Sequence, residues 1–309
     1  MKDKYLELRI NRDFGDILTV YFDFLKQNIK KFTNVFLSYN GVFLIGLLIT
    51  SYLLVSGFIG LISESSNSYG IGLVENSEDT YLTLLIAGGI LFVVIFLMAT
   101  GLNFSLSTSY IIKYVEHKGL KLDKTEIWNH TKSKFGNTVV FILLLIPIYL
   151  VLVIFLVIVS FIPLLGNLIQ IFMTAWIGVS YVCMIDENKG VTEALGEGWN
   201  LVSKNFWKSI GANFILSFLN FLLLFLCMLI PIIILSVFTF HVVANNVDIG
   251  ASITPNIIYT VGFCLLIILS LYAQCLSQFI NGILFYTLHE KTYNLNTRSK
   301  IEQIGQSEQ

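Results

Sequence analysis

The sequence predicts an all-α membrane protein in which six transmembrane helices form three hairpins and are accompanied by short cytoplasmic amphipathic helices. The first reason is composition, because 55% of the residues are hydrophobic and only 13% are charged, whereas soluble proteins carry about 25% charged residues. The second reason is that the apolar residues are collected into six long uncharged stretches. The third is the distribution of the basic residues, which predicts how the chain is oriented in the membrane.

Most of the uncharged stretches exceed the roughly 20 residues that a helix needs to cross the hydrocarbon core. Backbone polar groups in lipid must be paired within their own segment, so each stretch is predicted to be a helix. We therefore divide the chain into a cytoplasmic N-terminal segment (1–39), a six-span membrane domain (40–286) and a cytoplasmic polar tail (287–309). The predicted spans are residues 40–63, 80–104, 138–160, 164–185, 209–240 and 257–286.

All 19 Lys and Arg residues fall in alternate connections between these spans. Seven precede the first span, six lie between the second and third, three between the fourth and fifth, and three follow the last. The other connections, residues 64–79, 161–163 and 241–256, contain no basic residue. Because Lys and Arg next to membrane spans are retained in the cytoplasm, both termini are predicted to be cytoplasmic.

Two of the cytoplasmic segments have the apolar spacing of an amphipathic helix. Apolar residues recur at helical intervals from Phe14 to Phe32 in the first, and from Val191 to Phe206 in the second. Such a helix can lie in the inner-leaflet interface with its apolar face in lipid. It can equally pack against the cytoplasmic ends of the membrane helices, and the sequence leaves both alternatives open.

The third and fourth spans are predicted to form a tight helical hairpin. Residues 138–185 are 48 consecutive uncharged positions, and the turn-forming residues Pro163, Gly166 and Asn167 lie within them. Pro147 lies inside the third span, where it predicts a kink, because neighbouring helices can re-satisfy the carbonyl that a proline frees.

Polar chemistry is sparse within the predicted spans. None contains Asp, Glu, Lys, Arg or His, which argues against a proton-driven transporter, because such proteins place ionisable groups inside the bilayer. The best polar constellation is Gln274, Gln278 and Asn281, which share one face of the last span. These amides could bind a ligand headgroup or line a cavity, although such residues more often join helices by hydrogen bonds.

Motifs for catalysis and metal binding are missing from the sequence. There is no Walker loop, no Gly-x-Ser-x-Gly elbow and no metal-binding spacing among the four histidines and four cysteines. Asp186 and Glu187 are interpreted as solvated charges at a helix end. We therefore expect no catalytic, cofactor-binding or metal site, and no enzyme activity. With a net charge of −1 and no basic stripe, nucleic-acid binding is not expected either.

Residues 190–211 carry a family resemblance. They read GVTEALGEGWNLVSKNFWKSIG, which contains the pattern E-A-L-x-x-x-W-x-L-x-x-x-N-F-W ahead of a hydrophobic span. This resembles a cytoplasmic helix in a group of bacterial integral membrane proteins that includes the YciC-like family and the membrane domain attached to some glycerophosphodiester phosphodiesterases. The matching residues are Glu193, Ala194, Leu195, Trp199, Leu201, Asn205, Phe206 and Trp207.

The resemblance implies a multi-pass protein of the bacterial cytoplasmic (inner) membrane, without the soluble barrel that performs the reaction in those phosphodiesterases. The longest soluble segment, residues 1–39, has no room for such a barrel. The resemblance indicates a fold more than a function. The uncharged spans without catalytic groups and the amide face of the last span lead to two functional hypotheses. The first is a non-catalytic accessory or scaffold component that packs against lipids or other membrane proteins. The second is a transporter or lipid-handling permease without intramembrane charge.

The orientation can be tested by labelling single cysteines in a variant whose four native cysteines are replaced by serine. Ser66→Cys and Asn245→Cys should react in sealed cells with a membrane-impermeant thiol reagent, because both lie in connections without basic residues. Ser133→Cys should react only after the cells are opened. Labelling of the Ser133 position in sealed cells would overturn the predicted orientation.

Overall fold

The computed structural model describes residues 5–67, 77–119, 122–159, 161–162, 165–245, 247 and 253–306. Within these ranges the chain is all α-helical and contains no strand, which confirms the predicted fold class. The helices are α1 (Phe14–Asn67), α2 (Ser77–Glu116), α3 (Lys124–Val159), α4 (Leu165–Asp186), α5 (Val191–Lys204), α6 (Phe206–Ala244), α7 (Ile253–Tyr293) and α8 (Leu295–Gln306).

Six of these described helices, namely α1 to α4, α6 and α7, are long and apolar enough to cross a membrane. The chain is therefore a multi-pass membrane protein. The predicted hairpin of the third and fourth spans corresponds to α3 and α4. The connection predicted at 64–79 is only partly described: α1 continues to Asn67, α2 begins at Ser77, and residues 68–76 lie outside the described residues.

Helix α1 is much longer than a membrane span. Its 54 residues correspond to about 80 Å of helix, whereas the hydrocarbon core is about 30 Å thick. The predicted amphipathic segment is helical, but it runs without a break into the first span. Its apolar face is buried, with Ile17, Tyr21, Phe24 and Phe32 all fully inaccessible to solvent. This segment therefore packs against other helices, which is one of the two alternatives left open above.

The described chain separates into two compact units, and the four boundaries between them fall inside α1, α2, α6 and α7. The first unit comprises Met1–Phe36, Gly101–Asn220 and Gln274–Gln309, and the second comprises Leu37–Thr100 and Phe221–Ala273. The first unit thus holds α3, α4, α5 and α8 together with one end of α1, α2, α6 and α7.

Aromatic rings form the centre of the first unit. Phe279 of α7 meets Phe24 and Phe32 of α1 edge-on, with ring centroids 5.3 and 4.7 Å apart. Phe32 also meets Tyr110 of α2 at 5.3 Å. Edge-to-face pairs of this kind contribute about 0.5–1.5 kcal/mol each beyond their buried area. They therefore hold the ends of α1, α2 and α7 together.

Small residues allow the helices of the second unit to approach closely. A Cβ atom on Gly57 of α1 would lie 2.9 Å from the Tyr81 carbonyl oxygen of α2, and one on Gly88 would lie 2.9 Å from the Leu53 Cβ. Interfaces between membrane helices are enriched in such residues, because apolar burial adds little to helix association in lipid.

Helix α5 is a separate amphipathic helix packed along α4. The Trp176 indole N–H donates to the Leu195 carbonyl over 2.8 Å, and a Cβ on Gly198 would lie 2.8 Å from the Ser180 Cα. At its end the Asn205 amide donates to the Leu201 carbonyl over 3.0 Å. The chain then enters α6 at Phe206.

The α4–α5 contact can be tested with two glycines of the same helix. Gly198→Ala should lower the free energy of unfolding by about 1–3 kcal/mol, because the new methyl group would collide with the Ser180 backbone. Gly196→Ala is the control: nothing lies within 4 Å of its Cβ position, so replacing a helical glycine should stabilise by up to about 1 kcal/mol. Thermal unfolding in detergent would compare the two, and equal melting temperatures would contradict the packing.

Candidate functional site

Gln278 and Asn281 of α7, two of the predicted amide residues, lie in helix–helix contacts of the first unit. The Gln278 amide donates to the Thr108 hydroxyl of α2 over 2.9 Å and approaches the Gly178 carbonyl of α4 at 3.5 Å. The Asn281 amide donates to the Gln278 side-chain oxygen at 3.5 Å. Both side chains are at most 1% exposed. This part of the amide face therefore joins α7 to α2 and α4.

Gln274 completes the predicted face but is only half-buried, and its side-chain oxygen accepts no hydrogen bond within the described structure. Two cavities among the described residues are lined by other side chains than Gln274, Gln278 and Asn281. The burial of Gln278 and Asn281 against α2 and α4 favours the interpretation of this face as a helix contact.

Asp186, interpreted above as a solvated charge, is instead buried in an ionic network, and that interpretation is wrong. Its side chain is 8% exposed, and it pairs with the Arg9 guanidinium over 2.8 Å. The Tyr286 hydroxyl of α7 donates to its other oxygen, also over 2.8 Å. The Arg9 guanidinium in turn lies over the Tyr286 ring, 4.9 Å from the centroid. One carboxylate therefore joins the N-terminal segment, α4 and α7.

Glu187, the next residue, is likewise not a simply solvated charge. His289 contacts one of its oxygens at 2.8 Å and Lys189 contacts the other at 2.8 Å. The hydrogen bond to His289 is the largest cause that lowers the pKa of Glu187 to about 2, and it outweighs the effect of partial burial. Glu187 is therefore held ionised between two donors.

A second carboxylate network holds α8. Glu290, which is 3% exposed, accepts hydrogen bonds of 2.9 Å from the backbone amides of Asn296 and Thr297, which is the pattern of a helix N-terminal cap. The Asn296 side chain donates to Glu7 at 2.9 Å and to the Arg9 carbonyl at 2.7 Å. These bonds tie the N-terminal segment to the end of the chain.

The smaller of the two cavities lies among these ionic groups and has a volume of about 260 Å³. The polar groups that line it form hydrogen bonds and ion pairs with one another or with neighbouring residues, so the cluster is interpreted as one that stabilises the fold. Sequence reasoning missed it because its members are far apart in the chain and become neighbours only on folding. The cavity is lined by Arg9, Tyr286, His289, Glu290, Leu295 and Asn296.

The larger cavity is an open apolar groove of about 570 Å³ between α3, α4 and α5. The rings of Trp199 and Phe172 meet edge-on in its wall, with centroids 5.1 Å apart. The Phe206 ring lies 5.7 Å from the same Phe172. The lining residues are Ile148, Val151, Leu152, Phe155, Leu165, Leu168, Ile169, Phe172, Met173, Trp199, Ser203 and Phe206.

The family-like motif is split between the interior and this groove. Ala194, Leu195, Leu201 and Asn205 are buried, whereas Glu193 is exposed. The aromatic members face outward: Trp199, Phe206 and Trp207 are 49%, 38% and 77% exposed. The motif therefore supplies both the α4–α5 contact and an exposed aromatic surface beside the groove.

One group in the described chain has the spacing of metal ligands, although the sequence predicts no metal site. Single ligand atoms of Glu116, His117 and Glu126 lie within 4.8 Å of one another. The Lys113 ammonium, however, lies 2.6 Å from Glu116 and 3.2 Å from Glu126. Because Lys113 already supplies the positive charge, the group is explained as an exposed ion-pair cluster.

No protein-family model, curated protein or solved structure matches this chain. The resemblance to the YciC-like group therefore stays a prediction.

The Glu187 network can be tested by its dependence on pH. The pKa of Glu187 is lowered from 4.5 to about 2, so its ionised form stabilises the fold above about pH 4.5, and this contribution is lost as the pH falls through about 2. Glu187→Gln should lower the melting temperature by about 2–4 °C for a loss of about 1 kcal/mol, both at pH 7 and at pH 5.5, because Glu187 is ionised at both values.

The matched control is Glu193→Gln, which neutralises an exposed carboxylate on α5 and should leave the melting temperature unchanged. If the Glu187→Gln variant and the wild type had the same melting temperature at both pH values, the network would not contribute to stability.

Proposed function

We propose that this protein is a non-catalytic accessory or scaffold component of a bacterial cytoplasmic membrane, with both termini in the cytoplasm. The observation that carries the proposal is the burial of Gln278 and Asn281 in contacts between α2, α4 and α7. These amides are the polar side chains that a carrier without intramembrane charge could use to bind a polar substrate. Here Gln278 is hydrogen-bonded to α2, and Asn281 is packed against Gly178 of α4.

The orientation in this proposal rests on the basic residues. All 19 lie in the four segments that alternate with the three uncharged or acidic connections, and that asymmetry is the strongest sequence signal for cytoplasmic location. The alternation requires an even number of crossings between the termini, and the six membrane-length helices of the described chain support it.

The family assignment within this proposal rests on residues 190–211 alone. The buried face of α5 supports this assignment. It includes three residues of the motif, namely Ala194, Leu195 and Leu201. The described residues contain no strand, so they hold no part of a catalytic barrel built on β-strands. We therefore propose the membrane module of that group in a non-enzymatic role.

Large apolar surfaces suit an accessory component. In the most hydrophobic 18-residue stretches of α3 and α6, only 6% and 11% of the residues are buried within the protein. Lipid tails or the helices of neighbouring membrane proteins would cover such surfaces. A scaffold works through lateral contacts of this kind, which need no reactive group.

A flux measurement separates this role from that of a permease. Substituting Gln274, Gln278 and Asn281 together by Leu should leave the passage of solutes through reconstituted vesicles unchanged. The panel would include a fluorescent anion, a fluorescent cation and a short-chain fluorescent phospholipid. Each lost interhelical hydrogen bond should lower the stability by about 0.6 kcal/mol, so the fold should survive.

The control substitution is Gln170→Leu, which removes an exposed amide from α4. A flux that the wild type and the Gln170 variant support, but the triple variant does not, would replace the scaffold proposal with a permease. Protein-free vesicles define the background for every solute.

A further inference from the structure

The groove between α3, α4 and α5 has the size and lining of a site for a hydrocarbon chain. Its volume of about 570 Å³ lies within the range of roughly 300–1,000 Å³ that is usual for ligand sites. Among the described residues that line it, Ser203 carries the only hydroxyl group and all the others are aliphatic, aromatic or Met173. Its walls therefore offer dispersion contacts and almost no polar ones.

The lining argues for a flexible chain rather than a protein helix. Helices that dock in membranes use Gly, Ala, Ser and Thr to bring backbones close together. Here the walls are built from bulky side chains such as Phe155, Phe172 and Trp199, and no Gly or Ala lines the groove. A narrow hydrocarbon chain can enter between such side chains, whereas a helix backbone cannot approach them closely.

Three lysine residues lie near the α5–α6 junction, at the end of the groove that Ser203 and Phe206 line. Ser203 and Phe206 line the groove, and exposed Lys204 lies between them in the chain. The Lys291 ammonium donates to the Asn205 side-chain oxygen over 2.6 Å, and the Lys208 ammonium donates to the Arg12 carbonyl over 2.6 Å. The charge of Lys208 interacts with those of Lys291 and Asp13. We call Lys204, Lys208 and Lys291 the junction lysines, because they surround the α5–α6 junction.

Tryptophans flank the same end. Trp199 is 49% exposed and Trp207 is 77% exposed, in spite of their size. Tryptophan is enriched where a membrane meets water, because its ring is apolar and its N–H is polar. Exposed tryptophans beside a cluster of lysines are typical of a surface that contacts lipid headgroups.

We infer that the groove binds one acyl chain of an anionic phospholipid, whose phosphate is held by the junction lysines. The apolar walls bind the chain, and the positive charge selects the anionic headgroup, at about 1 kcal/mol for each basic residue near the headgroup. This inference deepens the proposed accessory role and rests on it, because it assigns a lipid ligand to the amphipathic helix α5. It makes no use of the amide face.

Native mass spectrometry of the full-length protein in mild detergent tests the inference. Dioleoylphosphatidylglycerol and dioleoylphosphatidylcholine would be titrated separately, because they share their acyl chains and differ in headgroup charge. We expect one saturable phosphatidylglycerol site with a dissociation constant at least about fivefold below that for phosphatidylcholine, which is the effect of one lysine. Equal affinities for the two lipids would overturn the assignment of an anionic lipid.

Two tryptophan substitutions on α3 locate the site. Val151 and Ile154 are 68% and 65% exposed, but only Val151 lines the groove. Val151→Trp should fill the groove and weaken phosphatidylglycerol binding at least tenfold, whereas Ile154→Trp should leave it unchanged. Retention of the wild-type affinity in Val151→Trp, with helix content preserved in both variants, would overturn the groove as the site.

Two lysine substitutions test the headgroup contact. Lys204→Gln should reduce the preference for phosphatidylglycerol about fivefold with little change in phosphatidylcholine binding, whereas Lys30→Gln, which alters an exposed lysine of α1, should change neither. An equal loss of preference in both variants would show that only the overall charge matters, and would overturn the assignment to the junction lysines. Failure of these experiments would leave the flux test of the accessory role unaffected, so the two proposals can fail separately.

Discussion

Five of the membrane-crossing helices are longer than a bilayer is thick, and this excess length determines where the charged side chains lie and which helix segments pack on one another. Helices α1, α2, α3, α6 and α7 contain 36 to 54 residues, or about 54–80 Å of helix, against a hydrocarbon core of about 30 Å. Lipid requires each backbone to satisfy its own hydrogen bonds. Charged side chains are costly there, so they are placed on the parts that extend beyond the apolar windows.

Those extensions do not remain separate amphipathic helices on a surface. The first third of α1 buries its apolar face on other elements of the first unit, through Phe24 and Phe32. Charged groups nearby are paired across long stretches of sequence, as Arg9 with Asp186 and Glu187 with His289. A charged side chain with little exposure to water needs a partner of opposite charge, because an unpaired buried charge costs several kcal/mol.

The polar and apolar features of the first unit have different consequences for function. The side-chain N–H groups of Gln278 and Asn281 donate hydrogen bonds within the protein. Both side chains are buried and therefore shielded from solutes, although the Asn281 oxygen accepts no hydrogen bond within the described structure. The aromatic side chains of α5, in contrast, are exposed although they are large. Surfaces of this second kind are where a non-catalytic membrane protein meets its surroundings, and this is why the lipid proposal is placed at α5.

The membrane-crossing helices, and therefore the fold class, follow from the sequence alone. The reason is that hydrophobicity over some 20 residues is a local property, and the bilayer imposes it on each helix separately. The helical character of residues 14–32 and 191–204 follows in the same way from their apolar spacing. The absence of charge within the spans can likewise be read from the sequence.

The tertiary structure decided what each polar group contacts. Local sequence makes Asp186 and Glu187 look like solvated helix-end charges, but Arg9 and His289 reach them from 177 and 102 positions away in the chain. The choice between a polar cavity and a helix contact for Gln278 depended on where Thr108 and Gly178 lie. The exposed side of α5 was equally undetermined, because its apolar stripe shows which residues can be buried but not which of them a neighbouring helix covers.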